Sequence, residues 1–265
     1  MKREFQTDKL RGCGIDSGSR TTKLVVIENN LIIYSDVQST GLSPVKTAED
    51  MLHKAKEALA VDPGEALPVV VTGYGRNLIR QDRKKVSEIS CHARGVNYYF
   101  PQSKLIIDIG GQDSKGILAE ENGRVADFVM NDRCAAGTGR FLEKVAHILE
   151  VEISDLGELA NGSEKELEIN NTCVVFAESE MIGMIAQSEK RADIALAVHR
   201  SVARRIANMI AGFPRQSRAV FTGGVALNLA MIKCLEQELG LHLDITENPF
   251  ITGALGAALF AQEQD

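Results

Sequence analysis

Short apolar blocks recur in the same order at two places in the chain. The first series reads GCGID, a Gly/Ser/Thr turn, KLVVIEN and then NNLIIYSDV, with Asn29 and Asn30 at the second turn. The second reads KLIIDIG, a turn, KGILAEENG and then GRVADFVMN, with Asn122 and Gly123 at its second turn. Blocks of this length, rich in Val, Ile and Leu and bounded by Gly, Asn and Asp, predict two three-stranded β-meanders. After the first meander the period changes. TAEDMLHKAKEALA sets Met51, Leu52, Ala55, Ala58 and Leu59 at helical spacing, with Thr47 and Asp50 fitting a capping box. Phe141, Leu142, Val145, Ala146 and Leu149 predict a second helix, from Gly139 to Leu149. A third pattern also occurs twice: PVVVTGYGR and AVFTGGVALN each read as a buried strand ending in Thr-Gly, the latter opening a helix near Val225.

Repetition of whole meander-plus-helix units predicts an α/β protein of two similar lobes facing one another across a cleft. Each lobe supplies one Gly loop of phosphate size, so a polyphosphate held between them would be gripped from two sides. Its cleavage would then move one lobe against the other.

Composition narrows the partners. The chain has 265 residues, 44% of them apolar, enough for a proper core. A net charge of −6, a pI near 5.5 and no long run of like charge speak against nucleic acid or an anionic membrane. The first residues, MKREFQTDKLRG, lack the apolar core of a secretory signal, and no apolar stretch is long enough to span a bilayer; a cytoplasmic protein is expected. The five Cys are scattered and never form Cys-x-x-Cys, so any metal ligands must assemble across the fold.

The loops themselves read DSGSRTTK, residues 16–23, and DIGGQDSK, residues 108–115. Without a Cβ, Gly backbone approaches phosphate closely, and hydroxyls add donors, which suits Gly18, Ser19, Thr21 and Thr22. A carboxylate at a strand end repels phosphate unless a cation intervenes, so Asp16 and Asp108 are expected to act through Mg²⁺. Lys23 and Lys115 either meet phosphates or are solvated hairpin positions. Gln112 is the candidate for orienting an attacking water, by analogy of role with other nucleotide hydrolases. Gly223 and Gly224, after a buried strand, suit close approach by a ribose or adenine. Arg20, Gly110, Gly111, Asp113 and Glu143 complete the expected nucleotide-contacting set.

Two Gly clamps followed by strand–Gly–Gly–helix resemble the actin-like ATPase superfamily, which includes sugar kinases and heat-shock chaperones. The resemblance spans nearly the whole chain. It implies two ribonuclease-H-like domains with ATP between them: residues 1–100 completed by 250–265, whose helix TGALGAALFA crosses back, and residues 101–249. A kinase is the default for that superfamily, yet no substrate-binding insertion with a catalytic Asp is visible. Cys134, before a small-residue turn and a periodic helix, and Cys173, after polar Asn170, Asn171 and Thr172, each lie near a helix entrance. A helix N-terminus favours an anionic ligand. Two Cys fill half of a cubane's four sites, and a twofold-related chain would supply the rest. On their own, both also read as small packing residues.

CAAGTGRFLE and TCVVFAESE resemble, residue by residue, the activator ATPases of 2-hydroxyacyl-CoA dehydratases, a family that includes ATPase subunits of benzoyl-CoA reductase and reductases of double-cubane cluster proteins. That resemblance implies that Cys134 and Cys173 ligate one [4Fe–4S] cluster per homodimer. ATP binding would reorient the helices beside it, and low-potential electrons would pass from a donor such as ferredoxin or flavodoxin to an iron–sulfur dehydratase or reductase. Arg20 departs from the Thr usual in the family loop; a contact to the γ-phosphate or to solvent are both open to it. Cys13, Cys91 and Cys234 read as structural, and the five His as surface or boundary residues. The other classes left standing are a small-molecule kinase of the same fold and a noncatalytic nucleotide sensor.

Overall fold

The computed structural model describes residues 10–62, 64–80, 82–169 and 173–263. The chain divides into two compact units, Met1–Tyr98 with Phe250–Asp265, and Tyr99–Pro249.

In the first unit, β1 (Arg11–Ser17), β2 (Thr21–Glu28) and β3 (Leu31–Ser39) form an antiparallel meander. Asn29 and Asn30 both take positive φ, 51° and 62°, the conformation a two-residue hairpin turn requires and Asn tolerates. Helix α1 spans Pro44–Ala58, with Pro at its first turn and Ser43 as N-cap. The expected capping box is therefore misplaced: Thr47 lies inside the helix, and its hydroxyl donates to Thr40 O at 3.0 Å. Strands β4 (Val69–Thr72) and β5 (Lys84–Lys85) extend the sheet in parallel, and α2 (Glu88–Tyr99) follows. The strand order is β3-β2-β1-β4-β5.

Alternation along the strands gives this sheet two working faces. Cys13, Ile15, Leu24, Val26 and Val71 pack with Ala48, Met51, Leu52 and Ala55 of α1. The opposite face carries Val70 against Cys91 and against Ala257 and Ala261 of the C-terminal helix. Gly14 is required there, because a Cβ would overlap Ala254 O of that helix.

The second unit repeats the plan. Strands β6 (Leu105–Ile109), β7 (Ser114–Ala119) and β8 (Val125–Asn131) form the meander. Helices α3 (Gly139–Ile148), α4 (Leu156–Asn161), α5 (Val174–Ala186) and α6 (Arg191–Ile210) follow, then β9 (Arg218–Thr222), α7 (Leu229–Leu239) and β10 (His242–Ile245). The order β10-β9-β6-β7-β8 mirrors the first sheet. One core joins Leu105, Ile107, Ile109 and Phe221 to Phe141, Leu142 and Val145 of α3 and to Val198, Val202 and Ile206 of α6. The helix expected near Val225 begins later. A 3₁₀ turn spans Gly224–Leu227, and Asn228 then caps α7 by accepting from Met231 N–H at 3.0 Å. The last helix, α8, spans Thr252–Gln262 and belongs to the first unit.

Two of the His expected at the surface or boundary are buried. His199 sits between Ala195 O, 2.7 Å from Nδ1, and Asn228 Nδ2, 3.0 Å from Nε2. Because an amide Nδ2 only donates, Nε2 accepts and Nδ1 carries the proton. Burial pushes the pKa of His199 down. His92 is buried as well, 3.2 Å from Thr252 Oγ1.

Candidate functional site: duplicated Asp–Lys loops and two accessible thiols

The two loops occupy equivalent places in the two sheets. Asp16 pairs across the ladder with Lys23 and in parallel with Thr72; Asp108 pairs with Lys115 and with Thr222. Lys23 Nζ lies 3.2 Å from Asp16 Oδ2, and Lys115 Nζ lies 3.2 Å from Asp108 Oδ2. For Lys115 the solvated alternative is removed: it is 1% exposed and also meets Asp113 Oδ2 at 2.8 Å, while Lys23 is 15% exposed. Each hairpin is closed by its glycine, Gly18 N–H to Thr21 O at 3.1 Å and Gly110 N–H to Asp113 O at 2.9 Å. Those two amides are spent internally. Ser19, Arg20 and Gln112 are the exposed side chains at the tips.

Support beneath the loops differs. Thr40 Oγ1 donates to Gly18 O at 2.8 Å, so Thr22 Oγ1, 3.0 Å away, donates to Thr40. Thr22, read from the sequence as a phosphate donor, is buried and gives its hydroxyl hydrogen to Thr40 beneath the loop. In the second unit Thr222 Oγ1 donates to Asp108 Oδ1 at 2.9 Å. Gly110 O and Gly111 O accept the first amides of α3, from Gly139 and Arg140, both at 2.9 Å. The loop thus caps the helix N-terminus with its own carbonyls. Glu143, one turn into α3, accepts from Arg140 Nη1 at 3.2 Å.

The donor set fits a hydrated Mg²⁺–phosphate group at the first loop. Asp16 Oδ1 and Ser17 Oγ are buried without a hydrogen-bond partner, an arrangement that costs free energy unless a ligand or water completes it. Gly73 and Gly75 keep that place open, because a Cβ on either would overlap Asp16 Oδ1 or Ser17 Oγ. Gly223 is the counterpart of Gly73: both have φ +86°, and a Cβ on Gly223 would overlap Ile109 O.

The thiols separate into two groups. Cys13, Cys91 and Cys234 are buried, and desolvation pushes their thiols up to about 12, 12 and 11. They stay protonated and inert. Cys134 is half-buried and Cys173 exposed. Cys173 is the N-cap of α5, while Cys134 caps a 3₁₀ turn, Ala135–Gly137, that precedes α3. Asn170, Asn171 and Thr172, the polar lead into Cys173, lie outside the described residues. Lys144 Nζ and Glu178 Oε1, 2.9 Å apart, tie α3 to α5. Two accessible thiols per chain fit an iron–sulfur cubane only when a second chain brings two more.

A profile of the BadF/BadG/BcrA/BcrD ATPase family matches residues 13–261. The chain belongs to that family. The 2-hydroxyisocaproyl-CoA dehydratase activator of Clostridioides difficile is 41% identical over 252 residues, 95% of this chain and 94% of its own. Its structure with bound ADPNP superposes with a TM-score of 0.88 at 40% identity, covering 96% of this chain and 95% of that one. Component A of the (R)-2-hydroxyglutaryl-CoA dehydratase of Acidaminococcus fermentans gives a TM-score of 0.89 at 38% identity, covering 96% and 98%. One of the subunits of the benzoyl-CoA reductase of Thauera aromatica is more distant, 28% identical over 259 residues, 93% of this chain and 91% of its own. The chain accordingly has the actin-like ATPase fold of the activator structures.

Four residues near these BadF/BadG-type loops and thiols were not singled out by sequence. Thr40, Thr222 and Arg205 act across 22 to 114 residues of sequence, whereas Asn131 acts on Cys134 three residues away. Thr222 alone carried a signal, the repeated Thr-Gly at a strand end.

Proposed function

We propose that this protein is an ATP-hydrolysing electron-transfer activator, in which Cys134 and Cys173 of two identical chains hold one [4Fe–4S] cluster. The observation that carries the reading is the division of the thiols. In a family member akin to dehydratase activators, three are sunk and protonated, while two are accessible and stand at helix-capping positions of one unit. The outward side of α5 adds support: Val175 and Phe176 are 66% and 62% exposed, with Ile182 and Ile185 also exposed. So much apolar surface beside Cys173 suits burial against a second copy.

At the loops, Asp16 would hold Mg²⁺ through the oxygen that has no protein partner, with Lys23 balancing its other oxygen. Asp108 would act through the Thr222–Lys115 frame that fixes it. Ser19, Arg20 and Thr21 would meet phosphate from the first loop, Gly111 and Gln112 from the second, Gln112 orienting water for hydrolysis. Gly223 and Gly224 would lie against the nucleoside. The cluster, when bound, supplies one-electron storage. The chain's own part is to carry nucleotide state from the carbonyls of Gly110 and Gly111 into α3 and the turn that holds Cys134. The partner would be an enzyme of the 2-hydroxyacyl-CoA dehydratase type, since relatives near 40% identity are described as activators of such dehydratases, and it would take the electron on an iron–sulfur cluster of its own.

Protein purified without oxygen should be brown, dimeric and contain about four iron per dimer. Cys134→Ala or Cys173→Ala should lose iron and weaken dimerisation together, because ligation joins the chains. A colourless, monomeric ATP-binding protein would turn the reading toward a small-molecule kinase.

A further inference from the structure

Cys134 is held from outside its own turn on two sides. Asn131 brackets its backbone, Nδ2 donating to Cys134 O at 2.8 Å and Oδ1 accepting from Cys134 N–H at 3.1 Å. Arg205, on α6, donates Nη1–H to Cys134 Sγ at 3.2 Å. Space for this approach is built in. A Cβ at position 137 would stand 3.0 Å from Arg205 Cδ and 3.2 Å from Asn131 Nδ2, so glycine there leaves room for the guanidinium stem. The flanking Ala136 and Thr138 are buried, and Val202 and Ile206 fix α6 in the core to either side of Arg205.

We propose that Arg205 is a positioning residue that sets the reduction potential of the cluster by a charge-assisted hydrogen bond to the Cys134 sulfur. This rests on the reading of Cys134 as a cluster ligand. A guanidinium keeps its charge at any working pH, and a half-buried one acts through less water than a surface one. Uptake of one electron from a low-potential ferredoxin or flavodoxin adds one negative charge to the thiolate-ligated cluster, with no bond broken and no proton required. A cationic donor on a ligand sulfur stabilises that added charge, so it raises the potential and eases loading. With twofold symmetry, each chain brings its own Arg205 to the same cluster.

The test is a redox titration of the anaerobically purified dimer beside Arg205→Met, Arg205→Gln and Arg205→Lys, with iron content and Tm measured on each. Arg205→Met should keep its iron and Tm while its reduction equilibrium constant falls roughly tenfold or more, about 59 mV for one electron. Arg205→Lys, which keeps the charge, should fall less than Arg205→Gln, which does not. An unchanged potential in a fully loaded Met variant overturns the proposal. Should Met prevent folding, equal potentials in the Lys and Gln variants overturn it. Iron lost in the Met and Gln variants but kept with Lys supports the role of the charge. Iron lost in all three with the fold intact makes Arg205 a packing residue and overturns it. A wild-type dimer without iron, or Cys134→Ala with its iron intact, removes the cluster reading and this inference with it.

Discussion

Residues 16–23 and 108–115 are one loop written twice, with the same strand register, Asp–Lys pair and parallel Thr partner, yet the copies are tied down differently. Asp16 keeps one buried oxygen without a partner, and Lys23 beside it is 15% exposed. Asp108 has both oxygens engaged, by Thr222 and Lys115, and Lys115 takes Asp113 as a second counterion. The first loop is braced by Thr40 and keeps Asp16 Oδ1 and Ser17 Oγ without a protein partner; the second is wired through Gly110 O and Gly111 O into α3. Two copies of one loop pattern thus differ in what they leave unmet: the first keeps a carboxylate oxygen unpaired, and the second is bonded to a helix end. On the proposed function, that is the asymmetry an energy-coupled activator needs.

The largest expected effects separate the two carboxylates. Asp16→Ala and Asp108→Ala should each lower ATP turnover by at least ~100-fold in a steady-state phosphate-release assay, with cluster absorption intact. Only Asp108→Ala should also cost stability, on the order of 3 kcal/mol by denaturant titration, because it deprives a buried Lys of one partner. Equal stability of the two variants would erase the distinction between the partly paired and the fully paired copy.

Gly73→Ala and Gly223→Ala should behave alike. Both positions have φ +86° and would drive a Cβ into the neighbouring strand, so each should lose about 2–3 kcal/mol of stability. A tolerated alanine at one of them would mean the copies differ in backbone as well as in side chains. A smaller effect is expected from Thr40→Val, about 1 kcal/mol, since it removes one brace of the first loop and leaves Gly18 O and Thr22 Oγ1 without that partner.

Much of this was legible in the sequence because the decisive signals are local. Buried strands need continuous Val, Ile and Leu, and a two-residue turn needs residues that tolerate positive φ, as Asn29 and Asn30 do. Errors arose where a nearby alternative fitted the local rule equally well. Thr47 and Asp50 fit a capping box, although Pro44, suited to a first helical turn, marks the start of α1. Long-range partners left no trace. Nothing beside His199 announces Asn228, nothing beside Cys134 announces Arg205, and the depth of Lys115 depends on which residues cover its ladder.

The smallest expected effect concerns His199, which belongs to the second unit only. Its folded pKa lies below the ordinary 6.5, so it is held neutral in the native state. Stability from this group is full above about pH 6.5 and falls as pH drops below it, where the unfolded chain binds a proton that the folded one refuses. His199→Gln should flatten that slope in chemical denaturation between pH 7 and pH 5, while lowering stability modestly at pH 7. An unaltered slope would assign the acid sensitivity elsewhere.

The coupling of the second loop to the thiols is tested most directly by the rate at which an iron chelator strips the cluster from the wild-type dimer. The measurement is made with saturating ADP and with a nonhydrolysable ATP analogue, binding of both being verified on the same sample. If Gly110 and Gly111 carry nucleotide state into α3 and the turn holding Cys134, the two rates should differ severalfold, because ATP must favour a different arrangement of those elements than ADP does. Equal rates would leave the loops an ATPase with no hold on the cluster and would contradict the account.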